Sequence, residues 1–341
     1  MKKTSVIAIN LRSVRIPIIL LIFISVVYTS ITLSLSFPSI SLSDDFVRML
    51  LSSSIALQSD APCFSGVYSM VRKDEGIAME SVNLTGKPEA EKIRVPSKVN
   101  ADAVVKVSNS TDFAINPADY LTHSPAFMKE DFSVLIVHTH TTESYTPSEK
   151  YNYNPTDTDR TMDKNFNMAK VGEEIEKVLT SQGIKVYHDT TINDYPSYNG
   201  SYNKSGLSIQ NYIKNDPSIK IVLDVHRDAI VGKDGEKVKY STEIDGKSAA
   251  KIMFVVGSNL SGLSHDNWQE NMRFASQLQK HILSLYPSLC RPINFRNQRF
   301  NQQLAPGGII VEVGSNANTL DEAIWGARCF AIGLSDFIKA K

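Results

Sequence analysis

Cysteine is scarce in this chain. Cys63, Cys290 and Cys329 are the only three in 341 residues; none sits in a C-x-x-C spacing, and any pairing leaves one over. A disulfide framework and a thiolate metal site are therefore both excluded as organising features. Net charge is missing too: Lys+Arg and Asp+Glu each total 36, so no basic excess points to nucleic acid. There is no internal repeat and no heptad run. What remains is ordinary globular material, 42% apolar and 21% charged, with room for one good-sized domain and an appendage.

The N-terminus is the first distinctive region. Residues 1–15 carry Lys2, Lys3, Arg12 and Arg15 and no acid, and the 22 residues from Ile16 to Phe37 carry no charge at all. A helix of that length crosses a hydrocarbon core of ~30 Å. Flanking positive charge predicts a cytoplasmic tail (1–15), a single transmembrane anchor (16–37) and an extracytoplasmic remainder. A cleaved signal peptide is the competing reading, with Ser34, Leu35 and Ser36 as the exit. Residues 38–102, with Pro62, Pro88 and Pro96 and little periodicity, read as a membrane-proximal stalk.

From 103 to 341 apolar strands alternate with amphipathic helices, predicting an α/β domain with a mainly parallel sheet flanked by helices. Strands are expected near 103–111, 134–137, 184–187, 219–225, 251–257 and 309–313. The expected helices are 166–182, 206–215, 268–286 and 320–339, with a polar hairpin over 230–247. Three strands end in ionisable groups: V-L-I-V-H-T-H-T-T-E (Val134–Glu143), I-V-L-D-V-H-R-D (Ile221–Asp228) and G-G-I-I-V-E-V-G-S-N (Gly307–Asn316). In open α/β sheets ligands bind at such strand ends. His140, Glu143 and His226 are the expected metal ligands, zinc being the best match to mixed imidazole and carboxylate donors, although another divalent metal fits too. Glu312 is the expected general base.

His138, two residues before His140, faces the other way and is expected to bond beneath the site. Arg227 is the candidate for orienting a substrate carboxylate, or for pairing with Asp228 or Asp224. Asn271, Gln302, Asn316 and Tyr145 are candidate substrate contacts, and Tyr198, Tyr202 and Trp268 candidate stacking surfaces. Metal-assisted hydrolysis is the reading these residues favour. A zinc carboxypeptidase-like peptidase and a non-catalytic wall-binding domain are the alternatives.

The strings H-T-H-T-T-E-S-Y, K-V-G-E-E-I, P-S-Y-N-G-S-Y, D-V-H-R-D-A, I-M-F-V-V-G, N-W-Q-E-N, F-N-Q-Q-L-A-P-G and V-E-V-G-S-N occur in an order that resembles the stage II sporulation protein P family. The resemblance covers about residues 103–340. It implies kinship with the zinc-dependent N-acetylmuramoyl-L-alanine amidases of type 3, whose fold is phosphorylase/hydrolase-like. The implied activity is cleavage of the muramoyl–L-alanine amide of peptidoglycan, with a second activity on cross-link peptides. The implied setting is engulfment of the forespore, with sporulation proteins D and M as partners. Those amidases take a glutamate ligand from a helix start resembling E-K-x-x-N-L. D-K-N-F-N-M places Asp163 there, an aspartate where the relatives have glutamate, so Glu143 is the preferred third ligand and Asp163 the alternative.

Overall fold

A computed structural model describes residues 93–340, apart from residues 100, 101 and 157. The expected cytoplasmic tail, anchor and most of the stalk lie outside the described residues. Among the described residues no helix is long and apolar enough to cross a membrane.

Among the described residues there are nine strands: β1 (Val107–Asn109), β2 (Ser133–Val137), β3 (Val186–His188), β4 (Ile219–Asp228), β5 (Ser241–Ile244), β6 (Lys247–Ala250), β7 (Ile252–Val256), β8 (Ile293–Phe295) and β9 (Gly307–Ser315). Seven of them form one sheet in the order β1-β8-β7-β9-β4-β2-β3. Every neighbouring pair in it is parallel except β7 and β9. The expected mainly parallel sheet is thus present, but as two parallel halves that run in opposite directions. β5 and β6 form the separate hairpin, turned by Asp245 and Gly246, both at positive φ (52° and 73°), as a tight two-residue turn requires.

The helices are α1 (Met168–Ser181), α2 (Ser201–Asn215), α3 (Trp268–Leu285) and α4 (Leu320–Lys339). α1 starts where Asn167 accepts a hydrogen bond from the Ala169 amide, and buries Met168, Val171, Ile175, Val178 and Leu179. That is the 3.6-residue stripe visible in the sequence. α4 opens on a capping box between Thr319 and Glu322, which satisfies otherwise orphaned amides at its start. α2 begins five residues before its expected start, directly after Gly200; its first turn, S-Y-N-K-S, has too few apolar residues to register as a helical face.

The two faces of the sheet are covered unequally, and this positions the site. One face carries a large core in which α1, α3 and α4 pack on Val134, Ile136, Leu223, Val225, Phe254, Val256, Val311 and Val313. On the other face α2 covers Leu135, Val137 and Val222 in a small cluster, beside a 3-10 turn at Gln302–Leu304. Beyond that cover, Met253, Val255 and Ile310 form a third small apolar patch with Phe300. Residues 93–99, read from the sequence as the end of the stalk, lie against the domain. Ile93 and Val95 pack on the core, and the Val99 amide donates to the Ser284 carbonyl over 2.8 Å.

Candidate active site

Alternation along β4 and β9 sets the chemistry. Asp224 and His226 on β4, like Ile310 and Glu312 on β9, point away from the large core. The register pairs His226 directly with Glu312, so two ionisable side chains stand side by side one strand spacing apart, about 4.8 Å. His140 arrives from the turn after β2, its ring edge-on to His226 with centroids 5.2 Å apart. Glu143 closes the same turn, its amide bonding the His140 carbonyl, and its carboxylate lies 3.4 Å from His226 Nδ1. The structure therefore brings His140, Glu143, His226 and Glu312 together in one groove of about 360 Å³. Asp163 is not among them. It is exposed, and its carboxylate accepts from the Asn165 amide and side chain before α1. A larger hollow of about 500 Å³ by Lys106 and Cys290 holds no histidine.

The surroundings fix these groups. Asp224 Oδ1 lies 2.9 Å from His226 Nε2, and Asp224 is itself held by the Thr139 amide and hydroxyl at 2.8 and 2.6 Å. Arg160 reaches both Glu143 (3.4 Å) and Asp194 (2.5 Å). Tyr198 stacks on His140 with ring centroids 4.3 Å apart and carries the Arg160 guanidinium 5.1 Å from its ring centre. Tyr202 meets His140 edge-on.

Burial sets the protonation states. It depresses the His140 pKa, helped by the charge of His226. For His226 burial acts the same way, but Asp224 and then Glu143 outweigh it and raise its pKa well above the ordinary value. Burial would lift the Glu143 carboxyl; the approach of His226, then Arg227 and His140, holds it instead at about 2. For Glu312 burial outweighs the pull of His226 and, with the charges of Glu143 and Asp228, pushes the carboxyl up to about 8.

His138 lies beneath the site, but not because of its spacing to His140, since residues two apart on a strand share a face. It keeps the side of Val134 and Ile136 while the turn after β2 carries His140 away. It is buried, with Nδ1 3.0 Å from the Val225 carbonyl and Nε2 2.9 Å from His188 Nε2. His188 in turn meets Glu176 at 3.0 Å. Burial, with the neighbouring His188, lowers His138 to about 3. Gly172 of α1 makes room for this pair: a Cβ there would stand 2.5 Å from His188 Nε2 and 2.7 Å from His138 Nε2.

Five expected roles fare differently. Arg227 lines the groove, but its guanidinium is committed to backbone carbonyls: Nε to Ser144, one terminal nitrogen to Thr158 and Asp159, the other to Asp228. It ties the 145–163 loop to β4 and pairs with neither Asp228 nor Asp224 through a carboxylate. Tyr145 is fully buried, its hydroxyl donating to the Val313 carbonyl. Gln302 bridges the Gly257 amide and the Val255 carbonyl. Asn271 donates to the Ala305 carbonyl, and Asn316 to Asp159. None of Tyr145, Asn271, Gln302 or Asn316 lines the groove, because each satisfies a buried backbone or side-chain group. In their place the lining includes Asn294 and Arg296 from the end of β8. That strand gives three residues of weak alternation in the sequence.

The donor set suits a divalent cation of zinc's softness. His140 Nδ1 and Glu312 Oε2 are both sealed from solvent without a hydrogen-bond partner. Orphaned buried polar atoms of this kind are costly unless something binds them. Among the described residues, no three His, Cys, Asp or Glu side chains are yet drawn around one point.

Two solved structures are similar to this chain over about three-fifths of its length. The catalytic domain of the N-acetylmuramoyl-L-alanine amidase CwlV from Bacillus (Paenibacillus) polymyxa var. colistinus is 14% identical, with a TM-score of 0.37 over 62% of this chain and 100% of that one. The CwlD amidase of Clostridioides difficile, solved with the GerS lipoprotein, is 11% identical, with a TM-score of 0.37 over 61% of this chain and 100% of that one. In sequence, the stage II sporulation protein P of Bacillus subtilis (strain 168) is 31% identical over 200 residues, which span 55% of this chain and 47% of the relative. The chain thus matches just under half of that relative's length. The model of the stage II sporulation protein P family matches residues 56–335, and by that match across most of its length the chain belongs to this family.

Proposed function

We propose that the chain is a metal-dependent peptidoglycan hydrolase that cuts the amide between N-acetylmuramic acid and L-alanine. In this reading it is a membrane-anchored enzyme of sporulation that acts in forespore engulfment. The observation that carries the chemistry is the in-register pair His226–Glu312 beneath His140, with His140 Nδ1 and Glu312 Oε2 buried and unpartnered. His140, His226 and Glu143 would hold the cation. When bound, it would supply a Lewis acid that polarises the scissile carbonyl and acidifies water.

The protein's own groups divide the remaining work. Asp224, locked by Thr139, fixes the His226 ring. Arg160 and the Arg227 amide fix Glu143. Glu312 moves the proton: its carboxylate takes one from the attacking water and gives it to the departing amine. At a pKa of about 8 without a cation, it is poised near the neutral range where such a group works best. His140, with its lowered pKa, presents a neutral imidazole.

The anchor rests on the uncharged run Ile16–Phe37 behind four cations. Cleavage of cross-link peptides and association with sporulation proteins D and M rest on the family alone. The carboxypeptidase alternative called for Arg227 to hold a substrate carboxylate, and that guanidinium is occupied by carbonyls. Digestion of purified peptidoglycan, with and without chelator, separates the readings by product mass. Stem peptides with a free L-alanine amine, lost on chelation, are the expected result. Release of single C-terminal amino acids, or no product from zinc-loaded protein, would overturn the amidase assignment.

A further inference from the structure

The groove extends past its catalytic end. From Glu312 it runs over Ile310 on β9, then Met253 and Val255 on β7, flanked by Phe300, to Asn294 and Arg296 at the end of β8. Ile293 and Phe295 face the large core, so alternation turns Asn294 and Arg296 to the groove side. Among the described residues no carboxylate pairs with the Arg296 side chain; its backbone amide bonds the Val256 carbonyl, and the guanidinium is exposed. The other groove arginine, Arg227, is consumed by carbonyls. The remaining acid of the groove lining, Asp228, is paired with Arg291 at 2.9 Å. The groove is therefore acidic where the reaction is assigned, apolar in the middle, and carries one unpaired planar cation at the far end.

We propose that Arg296 is a specificity-determining residue that binds a carboxylate of the stem peptide, while the Met253–Val255–Ile310 floor takes the peptide's aliphatic part. The inference rests on the amidase reading above. Arg296 lies two strand spacings from Glu312, about 10 Å across the sheet, and further along it. With the four-residue offset along the strands the diagonal between the two Cα atoms is about 16 Å. An extended peptide covers ~3.3–3.6 Å per residue, so the recognised carboxylate belongs about three to five residues beyond the scissile amide, the lower figure where the arginine side chain reaches back along the groove. A guanidinium forks onto a carboxylate through two parallel hydrogen bonds, and Asn294 supplies a neutral donor beside it.

The test compares two probes: a muramoyl tripeptide ending in a diamino acid, and the same molecule with the carboxyls of its second and third residues amidated. Binding and turnover are measured with zinc-loaded wild type, Arg296→Ala and Arg296→Lys. For wild type, the acidic probe should bind about ten- to a hundredfold more tightly than the amide, the scale of a charge-assisted hydrogen bond. Arg296→Ala should lose that preference, raising KM with little change in kcat, and should treat the amidated probe as wild type does. Arg296→Lys should keep part of the preference. Equal affinity of wild type for both probes overturns the proposal, as does an equal loss by Arg296→Ala on both. If wild type binds the acidic probe selectively and Arg296→Ala does not, yet neither cuts it, the subsite stands and the amidase assignment fails.

Discussion

Replacing Glu312 by glutamine should stabilise the metal-free protein, and the gain should depend on pH in a defined way. Burial holds the folded-state carboxyl at about 8, against 4.5 for an unperturbed one. Below about pH 4.5 the group is protonated in both states, and burial imposes no ionisation penalty. Between about 4.5 and 8 the unfolded chain has released its proton while the folded chain keeps it. The folded state then binds more protons, so stability falls by about 1.4 kcal/mol per pH unit. By pH 7 the accumulated loss is about 3 kcal/mol, and above pH 8 it levels off. Glutamine fills the same space without this titration. In chelator-treated protein, urea midpoints of wild type and Glu312→Gln should therefore diverge from pH 5 to pH 8, the variant ending about 4 kcal/mol ahead, or roughly 1.5 M urea at a slope typical of this size. Taking the divergence rather than the absolute difference cancels whatever glutamine does independently of pH. Zinc should narrow the gap, since a cation beside the carboxylate removes the reason to stay protonated. Parallel profiles from pH 5 to 8 would show that the Glu312 carboxyl reaches water and that the sealed site described above is wrong.

Two further outcomes follow from the same geometry. Zinc binding should release protons and weaken as pH falls, because His226, raised by Asp224 and Glu143, must give up its proton to act as a ligand. The expected change is up to about tenfold in affinity per pH unit per proton, measurable by titration calorimetry in buffers of different ionisation enthalpy; a flat affinity from pH 6 to 8 would remove His226 from the ligand set. Gly172→Ala should destabilise the fold by about 1–3 kcal/mol, since its methyl would meet both His138 and His188, and an unchanged thermal midpoint would contradict that packing.

Much of this site could be read from the chain because strand periodicity is strict. V-L-I-V before His140, L-D-V before His226 and I-I-V before Glu312 each announce a buried strand. A period of two puts His138 on the side of Val134 and Ile136, but it would put His140 there as well; the turn that starts after Val137, not the two-residue spacing, carries His140 to the other face. The failures share a different cause. Tyr145, Asn271, Gln302 and Asn316 have the chemistry of substrate contacts, but the same donors satisfy buried backbone groups equally well, and only the fold says which demand is nearer. Arg227 is the plainest instance, with a guanidinium surrounded by carbonyls of the 145–163 loop. Arg296 was hidden for the converse reason: β8 is three residues long, too short to show alternation. The reversal at β7 and β9 was also invisible, since antiparallel and parallel neighbours buried on both faces present the same apolar run.

That reversal separates two things a hydrolase usually has to change together. The turns bearing His140 and Glu143 leave the sheet at the rim where β2, β4 and β9 end, whereas the turn bearing Arg296 leaves at the opposite rim, where β7 and β8 end. An insertion, deletion or charge change after β8 reshapes the far end of the groove without disturbing the backbone that carries the histidines. The proposed peptide preference and the bond-breaking chemistry thus sit on separate pieces of chain, which meet through the strand ladder and at Tyr202, whose ring lies against Phe300 on one side and His140 on the other.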